Sequence, residues 1–166
     1  FLAQPTDTIA GVAITPAVQV EIQDGAGSRR AAATNLITLD IAIGSGTLDG
    51  TTTVNAVDGI ATFANLSIKK AGTGYKLGAT ATGLAGDTSS AFNISPSDPA
   101  KVAFQQGPTS RLATVIFNPP IRVAIQDTYG NTTTNATDDV AVAIGANPGG
   151  GTLAGTATVP AAGGVA

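Results

Sequence analysis

The stretch GTLDGTTTVNAVDGIA, Gly46 to Ala61, returns as GTLAGTATVPAAGGVA, Gly151 to Ala166. Ten of the sixteen positions are identical, too many for chance in so short a run, so the chain carries an internal repeat. Working back from this pair, Thr47-Leu48 lies 105 residues before Thr152-Leu153. Earlier in the chain the offset is 103: it places Phe1 on Phe104, Pro5-Thr6 on Pro108-Thr109, and Pro16 on Pro119. The same offset sets Val20 on Val123, Ile22-Gln23-Asp24 on Ile125-Gln126-Asp127, and Gly27 on Gly130. The change of frame falls where GSGT becomes GANPGGGT, in a glycine-rich turn. Apolar positions meet apolar positions throughout, as in two copies of one packed module.

The first copy occupies residues 1–96, Ser97-Asp98-Pro99-Ala100 reads as a linker, and the second copy occupies 101–166. By this alignment the second copy has no counterpart of Thr62 to Ile94, its last strands. The first has none of Lys101-Val102-Ala103. Both ends are expected to be cuts from a longer tandem array. A half-module would expose an inner face along Val123, Ile125, Val142 and Ile144, to be covered by more of the same polypeptide or by strands from another subunit.

The period within a module is two. Val18, Val20 and Ile22 alternate with Gln19, Glu21 and Gln23; Ile37, Leu39, Ile41 and Ile43 alternate with Thr38, Asp40 and Ala42. The second copy repeats this with Ile121, Val123 and Ile125, and with Val140, Val142 and Ile144. Alternation of this kind puts one face in a core and the other in water. Turn signals interrupt the runs at 24–27, Asp49-Gly50, Asp58-Gly59 and Tyr129-Gly130-Asn131. The runs predict strands near 2–5 with 8–14, then 18–24, 36–43, 51–57, 60–68, 74–82 and 89–95. About seven short strands in a module of this size imply an all-β fold, an antiparallel β-sandwich. AGTGYKL, residues 71–77, with Gly74 directly before Tyr75 and Leu77 two after it, is similar to the Gly-x-Tyr-x-apolar run at the strand-opening corner of immunoglobulin-like folds, which implies that the Tyr75 hydroxyl bonds a backbone group.

Four segments in order carry a resemblance: QPTDTIAGVAITPAVQVEIQD at 4–24, GTLDGTTTVNAVDGIATFANLSI at 46–68, KAGTGYKLGA at 70–79 and SSAFNI at 89–94. Together they resemble the tandem bacterial immunoglobulin-like (Big-type) repeat modules of large secreted and surface proteins. The resemblance implies tandem immunoglobulin-like sandwiches in an extracellular, cell-surface filament, stalk or adhesin shaft, a structural role whose partners are neighbouring modules or subunits. It implies no catalytic residue. The second copy departs from the pattern by ending early and by carrying Phe117-Asn118-Pro119-Pro120 where the first has Ile14-Thr15-Pro16-Ala17.

Composition narrows the chemistry. The chain has no His, Cys, Met or Trp. A Ser–His–Asp triad, a thiolate site and a disulfide framework are therefore all impossible within it. Glu21 is the sole Glu and is expected on a solvated face; most of the Asp residues sit in turns. The net charge is −3 and charged residues are 11%, against a usual ~25%. With Lys and Arg scattered, nucleic acid is not a partner. No apolar run approaches the ~20 residues of a membrane span. FLAQPTDT has no signal-peptide character, so a targeting segment would lie outside these residues. Calcium is the one ion with candidate ligands, at Asp24, Asp98, Asp127, Asp138 and Asp139, but no Asp-x-Asp-x-Asp spacing joins them and solvated turn carboxylates are the preferred reading. Asn-x-Ser/Thr sequons occur at Asn65, Asn93, Asn131 and Asn135. Phe1, Phe63, Phe92 and Phe104 are expected in the core and Tyr129 at the surface. The expectation is a protein without catalytic, metal or cofactor sites. The alternatives are a glycan- or protein-binding module, with Tyr129 at its surface, and an accessory domain of a secreted hydrolase.

Overall fold

The computed structural model describes all residues from Phe1 to Ala166. The chain is all-β and divides into two compact units, Phe1–Ser95 and Pro96–Ala166.

Unit 1 contains β1 (Thr8–Ile9), β2 (Val18–Glu21), β3 (Leu36–Ile43), β4 (Leu48–Asp49) and β5 (Thr53–Asn55). It continues with β6 (Ile60–Phe63), β7 (Ser67–Ile68), β8 (Gly72–Thr80), β9 (Asp87–Thr88) and β10 (Phe92–Ser95). A six-stranded sheet runs β1-β10-β8-β3-β5, with β9 also paired to β8; β2–β6 and β4–β7 form separate ladders. The sheet is mixed rather than purely antiparallel, because β1 runs parallel to β10. The predicted strand at 36–43 has the bounds of β3, but the one at 60–68 is broken in two, β6 ending at Phe63 and β7 starting at Ser67.

Alternation builds the core. In β2, Val18 and Val20 are buried while Gln19 and Glu21 are half-buried, and the strand pairs with β6 from Val18↔Phe63 to Glu21↔Ile60. Side chains from the large sheet (Ile37, Leu39, Tyr75, Leu77, Phe92, Ile94) join those of the two ladders (Val18, Val20, Phe63, Ile68) in one cluster. The Tyr75 and Phe92 rings sit 5.9 Å apart, tilted at 37°. Burying each such side chain contributes roughly 1.5–3 kcal/mol, the main force holding the unit together. The alternation in β3 does not persist to its end: Ile41 is only half-buried and Ile43 is exposed, because the register against β8 shifts between them.

The β5–β6 turn is a two-residue hairpin closed by reciprocal bonds between Val57 and Ile60. Its central residues, Asp58 and Gly59, have φ of 50° and 76°, the double positive φ that matches strand twist and that Asp-Gly tolerates. A Cβ on Gly59 would overlap the Arg30 carbonyl.

Unit 2 contains β11 (Lys101–Gln106), β12 (Arg122–Gln126), β13 (Asp139–Ala141) and β14 (Thr158–Pro160), paired as β11–β12 and β13–β14. Its cluster is small: Val123, Ile125, Ala136, Val140 and Ala161, with Ile121, Val142 and Ala166 packed against it. Val123 and Ile125 are therefore buried, contrary to the expectation of an exposed inner face along them, whereas Ile144 is exposed. Phe104 is 59% exposed, not a core residue: it lies on β11 opposite Val123, and its side chain joins no apolar cluster.

The ladders of unit 2 occur at the offsets read from the sequence. Gln106↔Arg122 corresponds to Ala3↔Gln19, Asp139↔Pro160 to Leu36↔Asn55, and Ala124↔Val165 to Glu21↔Ile60. The hairpin recurs as well: Ala162 and Val165 exchange bonds around Gly163 and Gly164, whose φ values are 59° and 75°. A Cβ on Gly164 would overlap the Thr133 carbonyl, as one on Gly59 would overlap that of Arg30.

Candidate functional site

Chemistry-bearing side chains are sparse and dispersed. Glu21 Oε1 accepts a 2.9 Å bond from Gln23 Nε2, and it belongs to no group of three or more acidic side chains. Asp98, Asp138 and Asp139 are exposed.

The paired turn residues Asp24 and Asp127 differ. Asp24 is exposed; its Oδ1 accepts the Ser28 and Ala26 N–H groups, both at 3.0 Å. Those bonds, aided by the Arg30 charge, hold its carboxyl below the ordinary range. Asp127, expected as a solvated turn carboxylate, is instead fully buried. Its Oδ1 accepts the N–H groups of Tyr129 (2.9 Å) and Asn131 (2.8 Å), and its Oδ2 those of Ser97 (3.0 Å) and the Asn131 side chain (2.8 Å). Burial pushes this carboxyl up, but the four N–H donors, led by the Asn131 amide, more than offset that and hold it below its ordinary value. An environment made of donors suits an anion, and it leaves Asp127 no lone pairs aimed at a cation. The difference between the turns has two causes. Asn131 stands where unit 1 has Ser28, adding an amide donor, and the backbone of Ser97 closes over the carboxylate.

The other candidates are engaged in packing or stand alone. Asn65 bonds Thr51 through both its amide oxygen and nitrogen, Asn93 bonds Gly74 and Asp7, and Asn131 is buried; Asn135 is exposed. Tyr129 is exposed, as expected, with no second aromatic ring in contact. The Tyr75 hydroxyl lies 2.7 Å from the Ser45 carbonyl oxygen and 2.8 Å from that of Lys70, joining the loop after β3 to the one before β8.

Two clefts remain. In unit 1 a cleft of about 370 Å³ runs beside β2, from Phe1 and Leu2 past Val20 to Asp24, with Leu84 and Asp87 opposite. In unit 2 the counterpart of that β2 edge, Ala124 to Gln126, is occupied by Lys101 to Ala103 of β11. The unit 1 cleft thus lies along the strand edge that β11 covers in unit 2.

The second cleft is a groove of about 260 Å³ in unit 2, lined chiefly by Phe117, Ile121, Val123, Val140, Val142 and Leu153. Thr156 is its one polar lining side chain, so it can exclude water but supplies no acid, base or nucleophile. Beside it runs the segment Leu112–Phe117, which corresponds to Ile9–Ile14. In unit 1, Ala10, Gly11 and Ile14 donate N–H bonds to the carbonyls of Ser95 (2.8 Å), Ile68 (2.9 Å) and Leu66 (2.8 Å). The counterparts Ala113, Thr114 and Phe117 make no backbone bond, although the local Val12–Ile9 bond recurs as Val115–Leu112. Phe117 belongs both to the groove lining and to the free donors, and the unit 1 counterparts of those donors bond the backbone of the segment 66–95. Sequence reasoning placed the open face along Val123, Ile125, Val142 and Ile144, of which Val123 and Val142 line the groove, and overlooked Phe117 and these donors. The signal was present in their alignment with Ile9–Ile14.

No family model, curated protein or solved structure matches the chain.

Proposed function

We propose that this chain is a stretch of tandem immunoglobulin-like β-sandwich modules, acting as a non-catalytic structural repeat in an extracellular bacterial filament, stalk or adhesin shaft. The observation that carries the reading is the recurrence, 103 to 105 residues on, of the same strand pairings and the same glycine hairpin. A chain that uses its residues twice for the same backbone bonds is conserving a shape, and repeated shapes laid along one thread make rods and spacers. Tyr75 adds support: its hydroxyl reaches the Lys70 carbonyl five residues upstream, as in the tyrosine corner of immunoglobulin-like sandwiches. The absence of His, Cys and Met removes the usual catalytic groups and the readily oxidised ones alike, which suits a passive element outside a cell. Modules then meet other modules, and the partners are neighbouring repeats or subunits. Negative-stain images of the polypeptide as its gene encodes it test this. The expected image is an extended thread beaded once per about 100 residues. A compact particle without such beading would refute the reading.

A further inference from the structure

We propose that the open surface of unit 2 is the seat of a further copy of the segment 62–95, entering in line with Val165–Ala166. The proposal rests on the repeat reading and names the partner that reading leaves general.

Unit 1 shows the surface filled. There, Ile14 and Val18 are 0% exposed and Leu39 is 2% exposed. Phe63, Leu66, Ile68, Tyr75 and Leu77, all from the segment 62–95, belong to the cluster that buries them. In unit 2 the corresponding Phe117, Ile121 and Val142 are each half-buried. The backbone carries the same contrast. The carbonyls of Leu66, Ile68 and Ser95 lie in that segment, and they accept from Ile14, Gly11 and Ala10; Phe117, Thr114 and Ala113 lack any such acceptor. Leu112 and Ile116 of the same stretch are 82% and 83% exposed. An apolar groove and three unpaired N–H groups thus sit in the arrangement that unit 1 satisfies with one segment. The entry path is set too: Val123 and Ala166 exchange both backbone bonds at 2.9 Å, the counterpart of Val20↔Ala61, so the next residue of an entering strand would lie against Arg122 and Ile121 as Thr62 and Phe63 lie against Gln19 and Val18. The occupant is therefore a strand segment with aliphatic residues like Leu66 and Ile68, followed by a Gly-Tyr-x-Leu run like that at 74–77. An apolar partner that presents no extended backbone would leave the three donors unpaired.

The test appends a copy of residues 62–95 after Ala166 in the full chain and follows amide exchange at Ala113, Thr114 and Phe117. These amides are expected to slow by at least about 100-fold relative to the unextended chain. Unchanged exchange in the extended chain would overturn the proposal. So would concentration-dependent protection of the same amides in the unextended chain, since a second molecule would then be covering the face. A second arm does not depend on a stability gain. In unit 1 Leu39 pairs with Ala79, so Val142→Cys together with Ala79→Cys in the appended copy places two cysteines at paired positions, within disulfide reach. The chain has no other cysteine. Air oxidation is expected to give the intramolecular disulfide; an equal yield from an out-of-register control, Gly78→Cys in the appended copy, or no disulfide, would overturn the proposal. Such failure would leave the beaded-thread images untouched, and compact images would leave this exchange result untouched, so the two readings fail separately.

Discussion

Replacing Asp127 with alanine removes the acceptor for four N–H groups at once, those of Ser97, Tyr129 and Asn131 and the Asn131 side-chain amide. Water can reach some of them: Tyr129 is exposed and Ser97 half-buried. Asn131 is 4% exposed, so its two donors have no such recourse. Bonds to a charged acceptor contribute roughly 1.5–3 kcal/mol and a stranded buried donor costs about 1–3 kcal/mol. These terms share one loop and do not add in full, so the expected loss is about 3 kcal/mol, a large part of the ~5–15 kcal/mol that holds a typical domain. Denaturant titration followed by amide cross-peaks separates the two units, with unit 1 as internal reference in each sample. The unit 2 midpoint should fall while the unit 1 midpoint stays. Asp24→Ala is the matched control: its donors, Ala26 and Ser28, are exposed, and water replaces the carboxylate, so unit 1 should shift much less. If Asp127→Ala proves as mild as Asp24→Ala, the buried carboxylate does not organise its turn and the reasoning is wrong.

Acid should expose the same difference in a second way. Both carboxyls are held below the ordinary value of 3.8. Their contribution is therefore complete above that value and disappears as the pH falls through the depressed one; stability should be flat in these groups near neutrality, and Asp127→Asn should flatten the acid limb of unit 2 in a pH series of denaturation midpoints. Gly59→Ala and Gly164→Ala each force a side chain into positive φ and against a carbonyl, so each should destabilise its own unit by about 1–3 kcal/mol, read from the same midpoints. Tyr75→Phe keeps the ring and deletes the hydroxyl that binds Ser45 and Lys70. About 1–2 kcal/mol should be lost from unit 1 alone. Phe63→Ala empties a fully buried site and should cost unit 1 about 3–5 kcal/mol.

The residues that announced themselves in the sequence were those with local causes. Alternation located β3 to the residue, Asp58-Gly59 located the hairpin, and the residues around Tyr75 anticipated a backbone partner for its hydroxyl, found at Lys70 five residues upstream. What escaped depends on distant partners. Nothing near Ile43 signals the register shift against β8 that turns it outward. Asp127 reads like any turn aspartate until the Ser97 backbone arrives from thirty residues away. Phe104 alternates like a core residue, yet it joins no apolar cluster on β11. The donors at Ala113, Thr114 and Phe117 escaped periodicity for a related reason: an unpaired N–H is a property of the strand that would bond it, and only the alignment with Ile9–Ile14 carried that signal.

The repeated-spacer account is tested most directly by stretching the polypeptide, as its gene encodes it, in a single-molecule force instrument. The account predicts a sawtooth of evenly spaced ruptures, each releasing the chain of one module, about 300 Å beyond its folded length for ~100 residues. Ruptures of unrelated lengths, or one cooperative event spanning what should be several modules, would contradict it.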